Sequence, residues 1–165
     1  MTITSHLFEA YLKCPTKSWL RSQDKRGDEN AHADWERRQS DCYRSEGIKR
    51  LLHDVAENDR VTSPPSTDIL GTAGWRLAVD LLAQGHEVES ALHAMERMPS
   101  KGRGKSGQFM PIRFVFTNKV TKDERLRLAF DALVLSEMLG RDVSPTSTSQ
   151  GVESRVFSYL GPGKE

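Results

Sequence analysis

The sequence predicts an α+β fold. Helical segments open the chain, three segments with strand patterns follow one another in its middle, and one strongly amphipathic helix comes after them. This order is typical of α+β domains, because consecutive strands without helices between them pair as antiparallel neighbours. We predict one domain over residues 1–143 and an irregular tail over residues 144–165.

Two helices are predicted at the N-terminus. Residues 5–13 have the apolar spacing of a short helix, and Ser5 or Thr4 can cap its start. Pro15 cannot continue this helix, since proline lacks the backbone N–H, but proline is favoured as the first residue of a new helix. We therefore expect a second helical turn directly after Cys14.

A long polar helix is predicted over residues 31–55, after a charged connection at residues 24–30. It has few apolar side chains, so we expect it to lie on the outside of the domain. Residues 62–68 contain two adjacent prolines, which remove two backbone donors and end the helical region.

Three strands are predicted in the middle of the chain. Residues 75–83 alternate apolar and polar side chains, although the end of this segment would also suit a helical face. Residues 88–98 and 108–119 have the composition of two further strands. The basic, glycine-punctuated residues 99–107 lie between these two strands and predict a hairpin.

The last helix has the clearest signals. Thr121 and Glu124 form a capping box, and Gly140 supplies a C-terminal stop. The predicted apolar stripe consists of Leu126, Phe130, Leu133, Val134 and Met138. In the tail, only the segment SRVFSYL has the composition of a strand.

Composition limits the class of protein. The chain has 165 residues, of which 36% are hydrophobic and 28% are charged, as expected for one globular domain. Its net charge of +1 means that any basic site must be local. No apolar run is long enough to span a membrane, and the N-terminus lacks the pattern of a signal peptide, so we expect a cytoplasmic protein. Two cysteines, Cys14 and Cys42, cannot form a disulfide framework.

Two segments carry a resemblance to a known family. The segment FEAYLKCPTKSWL is similar to the N-terminal stretch of RecB-like nucleases of the PD-(D/E)XK superfamily, including the CRISPR-associated exonucleases. The segment from Glu96 to Gly140 resembles the hairpin and following helix of a RecB-like nuclease family. The resemblance implies a nuclease-type core, with a small mixed sheet flanked by helices, in a version that is degenerate or incomplete at the C-terminus.

The resemblance also implies a catalytic pattern. In such nucleases an acid on one strand and an acid-x-Lys on its neighbour hold Mg²⁺ or Mn²⁺, which activates water and neutralises charge on the phosphate. In this chain the first acid falls on His93, and the acid-x-Lys falls on Arg113 and Val115. The Gln-x-x-x-Tyr of the next helix falls on Arg127 and Asp131, so all three motifs are broken.

Nearby residues offer substitutes for the broken motifs. A displaced site would use Glu96, Lys119 and His93 for catalysis, with Asp80 and Glu96 as ligands of Mg²⁺ or Mn²⁺. The alternative is that these residues are ordinary charges at strand ends that meet water. Their spacing alone does not decide between the two.

Cys14 matches a cysteine that, in the resembling exonucleases, is one of four ligands of an iron–sulfur cluster. No cysteine follows Cys42, and a cluster of this kind normally needs four thiolates, so no iron–sulfur cluster is expected in this chain. Cys14 is then either a relic that packs as a small hydrophobe or part of a site that the sequence does not complete.

The basic hairpin suggests a binding role. Lys101, Arg103 and Lys105 alternate with other residues that include glycines, which suits contact with phosphates, although a solvated hairpin tip is the alternative. Arg113, at the position of an acid, would repel Mg²⁺ and attract phosphate. The sequence thus predicts a nuclease-family domain that acts on or binds DNA. The alternative is a non-catalytic module that binds nucleic acid or a protein. The expected partners are DNA, a protein or a missing C-terminal domain, and no membrane partner is expected.

Overall fold

The computed structural model describes residues 1–25, 30–64, 74–98, 108–116 and 120–143, and the backbone of residues 156–158. The described residues form an α+β fold, as the order of the segments predicted. In chain order, the elements are β1 (Ile3–Thr4), α1 (Ser5–Lys13), α2 (Pro15–Ser22), α3 (Ala31–His53), a 3₁₀ turn (Glu57–Asp59), β2 (Arg60–Thr62), β3 (Leu77–Gln84), β4 (Val88–Met98), β5 (Gln108–Val115), α4 (Lys122–Leu139) and β6 (Val156–Ser158).

The strands form one mixed sheet in the order β2-β3-β4-β5-β6, and β1 pairs with the start of β4. The strands β3, β4 and β5 are antiparallel neighbours, which confirms the pairing predicted for the middle of the chain. The outer strands pair in parallel, β2 with β3, β6 with β5 and β1 with β4. Residues 99–107, predicted as the hairpin between β4 and β5, lie outside the described residues.

The N-terminal caps are those that the sequence predicted. Thr4 Oγ1 accepts a hydrogen bond of 3.2 Å from the backbone N–H of Leu7, and Pro15 is the first residue of α2. Cys14 joins the two helices, because its N–H donates to Ala10 and its carbonyl accepts from Ser18. The short strands β1 and β2 were not predicted, since two or three residues are too few to show a periodic pattern.

The sheet separates two apolar clusters. On one face, α4 and α1 cover side chains of β3, β4 and β5, and the Phe8 and Phe130 rings stack with centroids 4.6 Å apart. On the other face, α3 covers the smaller cluster of Ile48, Leu77, Val79, Ala94, Ile112 and Phe114. The domain core is therefore the α4 face, and α3 adds a thinner second layer.

Helix α4 has the predicted caps but a different buried stripe. Thr121 Oγ1 accepts from the N–H of Glu124 at 3.2 Å, and Gly140 ends the helix at φ 61°, where a side chain would be strained. The prediction that Leu126 and Leu133 face the core is wrong, because 37% and 51% of their surfaces are exposed. Asp131 lies on the buried face instead, with 1% of its surface exposed.

Helix α3 lies on the outside, as its polar composition predicted. Among its residues only Ile48 is buried. A side chain at Gly47 would come within 2.3 Å of the Phe114 ring, so glycine at this position allows α3 to approach β5 closely. No helix in the described part of the chain is both long and apolar enough to cross a membrane.

Candidate functional site

Three residues of the broken motifs and their substitutes stand in one row across the sheet. On β3 and β4, the pairs Val79↔Ala94 and Leu81↔Leu92 flank Asp80 and His93, which are therefore opposite each other. The pairing of β4 with β5 stops at Ala94↔Ile112, and one more residue in that register brings Arg113 opposite His93. The register thus places Asp80, His93 and Arg113 on three neighbouring strands.

Strands β3 and β4 both change side-chain phase at this row. On β3, Val79 packs against the α3 cluster, whereas Leu81, two residues later, packs against the α4 cluster. On β4, Leu92 belongs to the α4 cluster and Ala94 to the α3 cluster. In a regular strand, side chains two residues apart point to the same face of the sheet. The backbone of each strand must therefore be irregular between these two residues. Asp80 absorbs the change on β3 with φ 53°, a left-handed conformation that aspartate tolerates better than most residues.

The side chain of Asp80 forms an ion pair with Arg44 of α3. The pair lies at an open cleft of about 370 Å³ between α3 and β3. Asp41, Arg44, Ser45, Ile48 and Asp80 line this cleft. An arginine therefore already neutralises the carboxylate that was predicted to bind a metal ion.

The His93 side chain accepts a hydrogen bond from β5 that a backbone carbonyl would accept in a regular pair of strands. Its Nδ1 accepts a hydrogen bond of 3.0 Å from the backbone N–H of Phe114, at the point where β4 and β5 separate, and its ring stacks on the Phe114 ring. Burial, followed by the positive charges of Arg113, Arg44 and Arg127, lowers the pKa of His93 well below its usual value. The neutral ring must carry its proton on Nε2, because Nδ1 is the acceptor.

Arg113 is not a surface residue, which corrects the prediction that it contacts nucleic acid. Only 3% of its surface is exposed, and its guanidinium donates to both carboxylate oxygens of Asp131, with Nε–Oδ2 at 2.9 Å and an Nη–Oδ1 distance of 2.7 Å. The hydroxyl of the fully buried Ser90 donates to Asp131 Oδ1 at 2.5 Å. Arg113, Asp131 and Ser90 thus form one satisfied polar network between the sheet and α4.

The structure does not bring Asp80 and Glu96 together. In the register of β3 with β4, Glu96 is opposite Leu77. It lies three residues along β4 from His93, a distance of about 10 Å along the strand. Glu96 accepts from Arg76 at 3.2 Å, whereas Asp80 pairs with Arg44 of α3. Each of the two predicted ligands thus has a different arginine as a partner.

In the described ranges, no group of three or more His, Cys, Asp or Glu side chains could hold a metal ion. Four predicted site residues, Lys101, Arg103, Lys105 and Lys119, lie outside the described residues. Cys14 is a free, exposed cysteine, so the expectation that it packs as a small hydrophobe is wrong.

Two arginines, Arg97 and Arg141, lie near the end of β4 and the start of β5. Residues 99–107 connect these two strands in the sequence. Arg97 precedes the last residue of β4, and it pairs in register with Phe109, the second residue of β5. The Arg141 guanidinium lies 4.0 Å from the centre of the Phe109 ring, and the Arg97 guanidinium lies 5.9 Å from that of Trp75. The two rings stack with centroids 5.5 Å apart. Burial, followed by the charge of Arg97, lowers the pKa of Arg141.

Sequence patterns predicted neither that Arg97 and Arg141 lie near the same two rings nor that Arg113 forms an ion pair with Asp131. Arg97 and Arg141 lie on different elements, and nothing in their spacing connects them. Asp131 gave one usable signal, since a charged residue flanked by apolar residues on both sides of a helical turn is unusual unless it is paired.

Replacing His93 by asparagine is expected to make the stability of the protein less sensitive to acid. The folded pKa of His93 lies below the unfolded value of 6.5, so the unfolded chain binds more protons and stability falls as the pH drops below 6.5. An asparagine side chain at this position can still accept from Phe114 but does not titrate. The slope of unfolding free energy against pH between pH 5 and 6.5 should fall by up to about 1.4 kcal/mol per pH unit.

Urea titrations across this pH range measure the slope. His53→Asn is the matched control, because the His53 side chain is 90% exposed. An equal change in slope in the two variants would contradict the assignment of this acid sensitivity to His93.

Comparison with known proteins identified no family. No protein-family model matches the chain, and no curated protein matches it.

Proposed function

We propose that this chain is a nucleic-acid-binding domain that resembles RecB-like nucleases in sequence and does not itself hydrolyse phosphodiesters. The two halves of the proposal have separate support. The interactions of Asp80, His93 and Arg113 support the absence of hydrolysis. The positions of Arg97 and Arg141 support the binding of nucleic acid.

Hydrolysis by a metal-bound water would need a carboxylate where Arg113 stands. A guanidinium in that position adds a positive charge, and the carboxylate of Asp131 is already saturated by two arginine donors and the Ser90 hydroxyl. The neighbouring candidate, Asp80, is bound by Arg44. With both carboxylates engaged by cations, a divalent ion would have to displace an arginine to bind.

The observation that carries the binding proposal is the position of Arg97 and Arg141. They come from β4 and from the turn after α4, and both guanidinium groups lie against the Trp75–Phe109 stack. A guanidinium that lies over an aromatic ring keeps its charge and its planar shape, which suit the recognition of phosphate. Lys101, Arg103 and Lys105 belong to the segment that follows β4 and precedes β5 in the sequence, and Arg97 and Phe109 lie next to the two ends of that segment.

The chain is expected to bind DNA with little sequence preference and with an affinity that falls steeply with salt. The triple change Lys101→Ala, Arg103→Ala, Lys105→Ala should weaken binding and lower the log–log salt slope by about one for each phosphate that the protein no longer neutralises. Arg141→Gln should lower the slope by about one. Fluorescence anisotropy of a labelled oligonucleotide over a salt series measures both effects.

Lys49→Gln is the matched control for Arg141→Gln. It removes one positive charge from a side chain that is 72% exposed on α3 and paired with Glu46. If Lys49→Gln lowers the slope as much as Arg141→Gln, the binding reflects net charge and not this surface. An absence of DNA binding at low salt would overturn the proposal and favour the alternative of a protein-interaction module.

A cleavage assay tests the other half of the proposal. Labelled single-stranded and duplex DNA are incubated with Mg²⁺ or Mn²⁺, with and without EDTA, and no protein-dependent cleavage is expected. Cleavage that EDTA abolishes and that disappears in Glu96→Ala would show an active enzyme with a displaced site.

A further inference from the structure

The cleft between α3 and β3 contains chemistry that the proposed function does not use. Its volume of about 370 Å³ is at the lower end of the range for sites that bind small molecules. Asp41, Arg44, Ser45 and Ile48 line it from one face of α3, at helical spacings of three and four residues, and Asp80 lines it from β3. The ion pair of Arg44 with Asp80 joins the helix to the strand, so the two elements hold these side chains around one cavity.

The charges in the cleft do not balance. Arg44 donates to Oδ1 of Asp80, so one of the two carboxylates has a counter-charge. Asp41 forms no ion pair within the described residues, whereas Glu46, five residues later on the same helix, pairs with Lys49. The lining side chains thus carry two negative charges and one positive charge, which leaves one negative charge unbalanced.

The cleft also has hydrogen-bond acceptors without donors. In the described part of the chain, the carboxylate of Asp41, Oδ2 of Asp80 and the hydroxyl of Ser45 accept no hydrogen bond. Ile48, which is 9% exposed, adds an apolar surface to the same cavity. A ligand for this cleft therefore needs donors, a positive charge and an apolar part.

We propose that this cleft binds a small molecule that carries a primary ammonium group on an alkyl chain. An ammonium has three N–H donors and one positive charge, so it can donate to the three acceptor groups and balance the charge of Asp41. The alkyl chain packs against Ile48. Asp80 keeps its ion pair with Arg44 through Oδ1 and accepts from the ligand through Oδ2.

The backbone of Asp80 supports a role beyond packing. A left-handed conformation, here with φ 53°, costs free energy in a residue other than glycine, and such conformations are found most often at functional sites. In this conformation the Asp80 side chain lines the cleft, whereas the neighbouring Val79 and Leu81 belong to the two apolar clusters. The unusual backbone thus coincides with the presence of a carboxylate in the cavity.

Anions and divalent metal ions suit the cleft less well. An anion would approach two carboxylates, and Arg44 is already paired with one of them. A divalent ion needs several oxygen ligands, and the part of the chain that the structure describes has no group of three His, Cys, Asp or Glu side chains that could hold one. A small organic cation matches both the charge of the cleft and its apolar surface.

NMR titration of the isotope-labelled full chain with hexylamine, hexanol and hexanoate tests the charge requirement. These ligands share an alkyl chain and differ in carrying a positive charge, no charge or a negative charge. We expect hexylamine to shift the amide signals of residues that line the cleft, and the other two ligands to shift them far less. Equal shifts with hexylamine and hexanol would overturn the proposal, because the ammonium would then contribute nothing.

Variants of exposed side chains test the position of the site. Asp41→Asn removes the unpaired carboxylate and should weaken hexylamine binding by about tenfold or more, and Ser45→Ala should weaken it by about fivefold. Glu36→Gln is the matched control, since it makes the same charge change at an exposed residue of α3 that does not line the cleft. It should alter the affinity by less than about twofold.

The outcomes separate this proposal from the proposed function. Equal effects of Asp41→Asn and Glu36→Gln would show that hexylamine follows net charge, and would overturn the cleft as its site. The triple change at Lys101, Arg103 and Lys105 alters no residue of the cleft lining, so it should leave hexylamine binding unchanged whether or not the chain binds DNA. Circular dichroism melting of each variant checks that the fold is intact.

Discussion

Asp131→Ala is expected to lower the free energy of unfolding by about 3–5 kcal/mol, a large share of the stability of a domain of this size. Asp131 is 1% exposed and accepts from Arg113 and from the hydroxyl of Ser90. Without this carboxylate, a buried guanidinium has no counter-charge and Ser90 has no acceptor. Urea unfolding followed by fluorescence of the three tryptophans would measure the decrease in stability.

The triple variant Ser90→Ala, Arg113→Met, Asp131→Leu provides the control. Replacing a buried ion pair by apolar side chains of similar volume is often neutral or stabilising, because it removes the desolvation cost of both charges. We expect the triple variant to be more stable than Asp131→Ala. If Asp131→Ala costs less than about 1 kcal/mol, Arg113 reaches water in solution and the network is not buried.

Local signals predicted most of the secondary structure. The capping box at Thr121, the proline at position 15 and the glycine at position 140 each act through the backbone of a few neighbouring residues, so the sequence alone contains what determines them. Strands β3, β4 and β5 were predicted because each segment has regularly spaced apolar residues between turn-forming residues. The strands β1 and β2 depend on pairing with distant residues and carry no pattern of their own.

The candidate site was predicted less well, for a physical reason. Whether Arg113 reaches solvent depends on Asp131, which lies eighteen residues later on another element. If α4 were rotated by part of a turn, Arg113 would lose the carboxylate of Asp131. The row of Asp80, His93 and Arg113 likewise follows from strand register, and register is set by the packing of whole strands against two helical layers.

The resemblance to RecB-like nucleases indicated which positions to compare, but not the interactions that the side chains make there. It pointed to His93 and Arg113, and the register brings these two residues together. At that point the structure has a buried histidine with a lowered pKa and a buried ion pair of Arg113 with Asp131. The structure adds that Arg97 and Arg141, whose guanidinium groups lie over the stacked Trp75 and Phe109 rings, belong to other positions in the fold.

Phe130→Ala is expected to lower the free energy of unfolding by about 3–5 kcal/mol. The Phe130 ring is 8% exposed and stacks on Phe8, so it joins α4 to α1 as well as to the sheet. Removing the ring leaves a cavity that the two helices cannot fill without moving. Guanidinium or urea titration measures the change in stability, and the m-value shows whether the folded state stays compact.

Two further substitutions in α4 separate core packing from local helix stability. Leu133→Ala removes an apolar side chain that is 51% exposed, and we expect a change within about 0.5 kcal/mol. Thr121→Ala removes the cap to Glu124 and should cost about 1 kcal/mol. If Phe130→Ala costs no more than Thr121→Ala, α4 is not packed against α1 as described. If Leu133→Ala costs as much as Phe130→Ala, the buried stripe is the one that the sequence pattern predicted, with Leu133 in the core.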